Sequence, residues 1–219
     1  LQDAVASAVE ETDRLRRLAD DLLVLSRADD GRMTVRPEPL DAAELLEDAA
    51  ARAVAADAAA SQQIAVDAAP GLRVLADRGW VEQALGNLVS NALRHGAGDV
   101  RLEARDAGAC VELHVLDDGP GFAREFLPRA WERFARGDPG RTEDGAGLGL
   151  AIVRTIAELH GGAAHAVNRA GGGADVWIAL RAAPAGSLSG RLADGAGDAE
   201  SPVVALEPSP PEPSSRPVP

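Results

Sequence analysis

The order of helix-like and strand-like segments between residues 41 and 182 constrains the fold of this chain most. Apolar and polar residues alternate in VRLEA and CVELHV, and again in AAHAVNR and ADVWIAL, which predicts two antiparallel strand pairs with one buried face each. Two short strands, QQIAVDA and LRVLAD, come earlier. Segments without Pro predict helices over 41–60, 79–95 and 148–160. Because strands and helices do not alternate strictly, we expect an α+β fold, a two-layer α/β sandwich with a mixed sheet, in preference to a doubly wound parallel sheet.

The helix predicted over 79–95 has an identifiable start and end. Asp77 precedes it and is well placed to act as its N-cap, because a short carboxylate can accept from the first backbone N–H groups. Gly96 follows it and can terminate the helix at C′.

The first 29 residues contain neither Pro nor Gly and predict one long helix. Apolar residues recur every seven positions, which is typical of a coiled-coil-like seam. The first set is Leu1, Ala8, Leu15 and Leu22, and the companion set is Ala4, Leu18 and Leu25, with Glu11 interrupting the second. Heptad spacing favours a helix that forms a homodimer, with a helix packed on its own domain as the alternative.

Breaker residues and composition predict the remaining boundaries. Residues 1–30 form the helix, 31–40 a linker and first strand, and 41–182 the main domain. Residues 183–219 hold eight of the 14 prolines and few apolar clusters, so we predict a disordered tail. Its PSPPEP segment is alternatively a motif for a proline-recognising partner.

Charge and apolar content exclude several classes of function. The formal net charge is −13, from 22 basic and 35 acidic residues, which argues against non-specific binding of nucleic acid or of anionic membranes. No apolar run approaches the roughly 18 residues that span a bilayer. The single Cys110 cannot form an internal disulfide and fits a reducing compartment.

A polar stripe on the helix 79–95 is the first candidate binding site. Asn87, Asn91, Arg94 and His95 follow i, i+4, i+7 and i+8 spacing, away from the apolar face. Asparagine is a poor helix former, so two on one stripe indicate a site more than a solvated face. Their amide oxygens can bind Mg²⁺ without adding charge, and Mg²⁺ can bridge the phosphates of a substrate.

The segment LDDGPGF, residues 116–122, is the second candidate. Gly119 and Gly121 allow the backbone to approach a flat ligand or to turn sharply. Asp117 or Asp118 could accept a hydrogen bond from an amino group such as that of adenine. A plain turn explains the same pattern equally well.

The long segment 124–145 is rich in aromatic residues and arginine, which is unusual for a surface loop in an acidic protein. It contains Phe126, Trp131 and Phe134, together with Arg129, Arg133, Arg136 and Arg141. Aromatic anchors with mobile arginines are typical of a lid that closes on phosphates. An ordinary amphipathic helical turn followed by a surface loop is the alternative.

The stretch DGAGLGLAIV, residues 144–153, is a glycine loop that leads into a helix. A P-loop is excluded because this chain contains no Lys. A dinucleotide-binding fingerprint is excluded because Leu150 stands where the third Gly or Ala is required. The residues alone therefore leave the chemistry of this loop open.

Four segments, NLVSNALRHG, LDDGPGF, WERFARGD and GAGLGLAIV, resemble in order and spacing the nucleotide-binding boxes of sensor histidine kinases. RLRRLADDLLVLSRADDG is similar to the second helix of that family's dimerisation domain. The resemblance covers about residues 1–182. It implies a Bergerat-type fold, shared with gyrase, mismatch-repair and heat-shock-chaperone ATPases, in which ATP lies between helices and a mobile lid.

The resemblance also implies a role for each candidate residue. Asn91 would bind Mg²⁺ with Asn87 beside it, Arg94 and His95 would reach toward phosphate, and Asp117 would select adenine. Gly119 and Gly121 would shape the pocket wall, Phe134 would anchor the lid, and Arg136 and Arg141 would contact phosphate. The remaining implied ATP-binding residues are Gly145, Gly147, Leu148, Gly149 and Leu150.

One departure from the family concerns the phosphate acceptor. The family places its acceptor histidine on the first dimerisation helix, followed by an acidic residue, and none of the four histidines here has that context. We therefore expect part of a cytoplasmic kinase whose acceptor helix, sensor and membrane segments lie upstream, with a response-regulator receiver domain as partner. The alternatives are a nucleotide-binding module without phosphotransfer, or an ATPase or serine kinase of the same fold.

Overall fold

The computed structural model describes residues 2–56, 64–96, 98–137 and 146–184. The chain divides into two units, Leu1–Gly186 and Ser187–Pro219, and the second lies wholly outside the described residues. The prediction of a disordered tail falls on residues 183–219, all but the first two of which are likewise outside them.

The described part of the first unit contains four α-helices and seven β-strands. In chain order these are α1 Gln2–Asp29, β1 Glu38–Asp41, α2 Ala42–Ala56, β2 Ile64–Ala68, β3 Arg73–Ala76, α3 Arg78–His95, β4 Val100–Asp106, β5 Cys110–Asp117, α4 Gly149–Leu159, β6 Ala163–Asn168 and β7 Ala174–Arg181. A short 3₁₀ turn, Leu127–Arg129, lies between β5 and α4.

Five strands form one mixed sheet in the order β2-β4-β5-β7-β6. The pair β2–β4 is parallel and the other three pairs are antiparallel, including the predicted pairs β4–β5 and β6–β7. β1 and β3 form a separate antiparallel pair. The predicted α+β sandwich with a mixed sheet is confirmed.

The core lies between this sheet and the helices. Alternate residues of β4 and β5, such as Leu102 and Leu113, are fully buried, as their apolar–polar alternation predicts. Leu85 of α3 and Ile152 of α4 are also fully buried, because the apolar stripes of both helices face the sheet.

The alternate side chains of the sheet form a polar and aromatic cluster. His114 is only 2% exposed, and its Nδ1 lies 2.7 Å from an oxygen of Asp175 and its Nε2 3.2 Å from one of Glu112. The Trp177 ring stacks on both His114 and His165, with centroid distances of 4.9 and 5.0 Å. This cluster accounts for both histidines in structural terms.

Asp77 joins three segments at the start of α3. Its Oδ1 accepts from the backbone N–H of Gly79 at 3.1 Å, which confirms the predicted N-cap, and its Oδ2 accepts from that of Arg36 at 3.0 Å. Its own N–H donates to Nε2 of His160 at 3.0 Å, at the end of α4. Because Nε2 accepts, the other ring nitrogen donates to the Ile156 carbonyl at 2.7 Å.

Gly96 ends α3, as predicted. Its φ and ψ are −71° and 155°, which is extended backbone. A Cβ at this position would collide with the Ala92 carbonyl and with the Asp117 side chain. Glycine is required here because β5 passes close to the helix end, not because the turn needs a positive φ.

The C-terminal half of α1 packs on the rest of the unit. Val24 and Leu25 are buried, whereas Leu15 and Leu22 are 57% and 42% exposed. The two heptad sets therefore differ in this structure: Leu25 of the companion set is part of the core, and Leu15 and Leu22 of the first set are exposed. No described helix is both long and apolar enough to cross a membrane.

Candidate functional site

A cavity of about 780 Å³ lies where the C-terminal half of α3, the N-terminus of α4 and the loop after β5 meet. It collects most of the candidate residues from four separate segments of the sequence. Those that line it are Asn87, Asn91, Arg94, His95, Asp117, Gly121, Arg136, Gly147, Leu148, Gly149 and Leu150.

The α3 side of the cavity carries the polar stripe. Asn87 and Asn91 lie one helical turn apart and are half-buried, so that both amides are held at the cavity wall. The Asn87 side chain donates a long hydrogen bond of 3.5 Å to the Gly149 carbonyl, which connects α3 to the first turn of α4. Arg94 and His95 are exposed at the rim.

Asp117 is the acidic residue of the cavity. It is 8% exposed, and its Oδ1 accepts from the backbone N–H groups of Gly119 and Ala174 at 2.9 and 3.4 Å. Asp118 is instead exposed and accepts from Arg169 at 2.6 Å. Of the two candidate carboxylates, Asp117 is the one that lines the cavity.

The loop after β5 forms the apolar wall. Pro120, Gly121 and Phe122 line the cavity, and the ring of Phe122 lies 6.0 Å from that of Phe126. Gly119, a predicted wall residue, is buried and does not line the cavity. Its backbone N–H instead donates to Asp117 Oδ1 and so orients that carboxylate.

The N-terminus of α4 presents backbone donors to the cavity. Leu148 is the N-cap residue and makes no side-chain capping bond, so the first-turn N–H groups are not capped in that way. Gly147 has a φ of +70°, and a Cβ there would lie 2.5 Å from the Ala135 carbonyl oxygen. Close packing of the two chain segments thus requires this glycine.

The lid candidates divide into three groups. Arg136 lines the cavity, whereas Phe134 is 60% exposed and does not line it. Phe134 has a φ of 62°, uncommon for a non-glycine residue, and its N–H donates to the Gly147 carbonyl at 2.9 Å. Arg141 and Gly145 lie outside the described residues.

Helix α1 contributes a wall that sequence reasoning missed. The α1 residues that line the cavity are Glu11, Leu15, Arg17, Leu18 and Asp21. Burial raises the pKa of Asp21 above its ordinary value, the neighbouring Asp20 raises it further, and Arg17 opposes the shift. The i, i+4, i+7 spacing of Glu11, Leu15 and Leu18 predicts that these residues share one face of α1. It does not predict that this face lines the cavity.

The chemistry of this cavity suits a ligand with a flat apolar part and an anionic part. The first would lie near Phe122 and Asp117, and the second near Arg94, Arg136 and the N-terminus of α4, whose dipole favours anions. Within the described residues, no group of three or more His, Cys, Asp or Glu is placed to hold a metal ion. The two Asn amides offer neutral oxygen donors.

Residues 76–184 match the family described as histidine kinase-, DNA gyrase B-, and HSP90-like ATPase. The chain is 41% identical over 180 residues to "Probable sensor histidine kinase HK" of Mycobacterium tuberculosis (strain CDC 1551 / Oshkosh), which covers 82% of this chain and 47% of that protein. It therefore spans about half the length of this relative.

Two solved structures are similar in fold as well. Full-length ShkA in complex with AMPPNP has a TM-score of 0.70 and 32% identity, over 83% of this chain and 39% of that one. The ATP-binding domain of PrrB from Mycobacterium tuberculosis has a TM-score of 0.56 and 29% identity, over 67% of this chain and 98% of that one.

Proposed function

Because the chain belongs to the family of histidine kinase-, DNA gyrase B- and HSP90-like ATPases, we propose that it is the ATP-binding catalytic portion of a sensor histidine kinase. It would present the γ-phosphate of Mg-ATP to a histidine outside this chain, in two-component phosphorelay signalling. The observation that carries this proposal is the single cavity in which Asn91, Asp117, Arg136 and the start of α4 meet.

Adenine would bind at the Asp117 end. Both hydrogen bonds from Gly119 and Ala174 go to Oδ1, so the exocyclic amino group would find its acceptor in Oδ2. Phe122 supplies apolar surface on the same side of the cavity.

The phosphates would bind at the α4 end. First-turn N–H groups and the helix dipole favour anions there, and Arg94, His95 and Arg136 line the same cavity. Phosphoryl transfer depends mainly on positioning and charge stabilisation, which this arrangement can provide. Arg141 and Gly145 remain predicted contributors.

The two asparagines fit a magnesium site. Their half-buried amides line the cavity one helical turn apart, and Mg²⁺ prefers oxygen ligands shared between protein and phosphates. Asn91 and Asn87 would hold the ion, which when bound neutralises charge on the phosphate oxygens.

The relatives support this proposal over the alternatives. The relative compared above is named a probable sensor histidine kinase, and the two solved structures are named as a complex with AMPPNP and as an ATP-binding domain. These names do not favour an interaction module or a hydrolase. By the same resemblance, we propose a homodimer through α1, a response-regulator receiver domain as partner, and a cytoplasmic position in a membrane-bound parent.

Substitution of Asn91 tests the proposal. In Asn91→Ala, calorimetric titration of the full chain with ATP should show at least about a tenfold loss of affinity when Mg²⁺ is present. Gln83→Ala removes an amide from the same helix outside the cavity and should bind ATP like the unsubstituted chain. Equal affinities in the two variants would contradict the proposed site, provided that circular dichroism shows both folded.

A further inference from the structure

The end of β6 and the first residue after it are bonded directly to the loop after β5 that forms a wall of the cavity. Asn168 Oδ1 accepts from the backbone N–H of Phe122 at 2.7 Å, and its Nδ2 donates to the Phe122 carbonyl at 2.8 Å. One side chain thus satisfies both backbone groups of Phe122, as a neighbouring strand would.

The adjoining residue Arg169 holds the other end of this loop. Its Nη1 donates to the Asp117 carbonyl at 2.8 Å and to an Asp118 carboxylate oxygen at 2.6 Å. Two successive residues, the last of β6 and the first after it, therefore fix both ends of the segment 117–122.

Two glycines allow the turn and the loop to approach this closely. Gly121 has a φ of +71°, and a Cβ there would lie 2.7 Å from Asn168 Oδ1. Gly173 has a φ of +83°, and a Cβ there would collide with the Asp117 carbonyl oxygen. The distance between turn and loop is therefore set by main-chain contact and leaves little freedom.

We propose that Asn168 is a positioning residue that sets the selectivity of the site for adenine. The inference rests on the proposed function. By fixing Phe122, Asn168 holds the loop in which Gly119 donates to Asp117 Oδ1, and so it fixes the carboxylate that would face the amino group. Asn168 does not itself line the cavity and acts through the loop.

The test compares two nucleotides on the full chain, ATP and purine riboside triphosphate, which lacks the amino group. In Asn168→Ala, two hydrogen bonds to Phe122 are lost, and we expect ATP affinity to fall about tenfold and affinity for the analogue to fall by about twofold or less. The ratio of the two dissociation constants therefore moves toward one. An equal loss for both nucleotides, or no loss, would overturn the inference.

Two further variants distinguish a positioning role of Asn168 from a general disturbance of the chain around it. Asn168→Asp keeps the acceptor but places a second oxygen against the Phe122 carbonyl, so it should lose adenine selectivity as the Ala variant does. Val167→Ala alters the neighbouring exposed residue and should leave both affinities unchanged. A loss of selectivity in Val167→Ala, or full selectivity in Asn168→Asp, would count against the role of Asn168.

The same titrations distinguish a failure of the proposed function from a failure of the inference about Asn168. If the unsubstituted chain binds neither nucleotide, the proposed function fails and the inference fails with it. If the unsubstituted chain selects ATP and Asn168→Ala keeps the same selectivity, only the role of Asn168 is refuted.

Discussion

Asp29, the last residue of α1, forms a two-point ion pair with Arg133. The two terminal nitrogens of the guanidinium lie 2.6 and 2.5 Å from the two carboxylate oxygens, across 104 residues of sequence. Arg133 immediately precedes Phe134, whose N–H donates to the carbonyl of Gly147 at the cavity. The end of α1 is thereby connected to the segment that begins α4.

Arg133→Gln should raise the pKa of Asp29. The hydrogen bond from Arg133 lowers the pKa of Asp29 below its ordinary value of 3.8, so this carboxylate favours the folded state above that pH. Its contribution is lost as pH falls through the lowered pKa. A carboxyl-carbon NMR titration should show the pKa returning to its ordinary value in the variant.

Arg129→Gln is the matched control for this titration. It removes the same charge from the same segment, but Arg129 pairs with Glu132 at 2.8 Å. An equal rise of the Asp29 pKa in both variants would show that the long-range field of the segment, and not the ion pair, causes the shift.

Leu25→Ala and Leu22→Ala should differ in their effects on stability, because the two residues lie on different faces of α1. Leu25 is 2% exposed, so its truncation should cost about 2–4 kcal/mol in free energy of unfolding. Leu22 is 42% exposed, and its truncation should cost less than about 1 kcal/mol while weakening self-association if the proposed homodimer forms. Urea unfolding and sedimentation velocity measure the two effects, and equal unfolding losses would contradict the assignment.

Asp21→Asn should increase both ATP affinity and stability at neutral pH. Asp21 lines the cavity, and removing its charge should raise the affinity for a polyanion by about two- to threefold. Because its folded pKa is raised, the carboxylate disfavours folding above that pKa, and the cost disappears as pH falls through its ordinary value.

The stability gain of Asp21→Asn should stay below about 1 kcal/mol, because solvent screens a half-exposed group. Asp20→Asn changes the net charge equally on the same helix but does not line the cavity. The prediction fails if calorimetry gives the same gain in ATP affinity for both variants.

The purified chain should bind ATP but incorporate no acid-labile phosphate. Its four histidines are all accounted for in the ATP-binding domain: His95 at the cavity rim, His160 on Asp77, and His114 and His165 against Trp177. Radiolabelled γ-phosphate transfer measures this, and a separate chain carrying an acceptor histidine should restore labelling. Efficient self-labelling would refute the assignment.

Sequence patterns predicted the elements that depend on local periodicity. The two-residue alternation of β4 and β5, the N-cap at Asp77 and the strand pair β6–β7 each depend on neighbours in the chain, and each is present. The stripe of Asn87 and Asn91 could be predicted for the same reason, because helical spacing alone places both residues on one face.

Contacts between segments that lie far apart in the chain could not be predicted from local sequence patterns. Nothing near Asn168 in the sequence indicates that its amide meets Phe122, 46 residues away. The helix end at Gly96 was predicted but its structural reason was not, because the Asp117 side chain that excludes a Cβ there comes from another element. The resemblance implied that Phe134 anchors the lid, but it could not show that Phe134 has a positive φ and donates to the Gly147 carbonyl.

The bond between Asp77 and His160 joins the two helices of the cavity at the ends that lie away from it. It connects the start of α3 to the end of α4, while the opposite ends of both helices line the cavity. Beside the cavity, the Asn87 side chain donates to the Gly149 carbonyl, so a second hydrogen bond joins the same pair of helices there. Bonds at both ends of the pair therefore restrain the separation between the asparagine stripe and the N-terminus of α4.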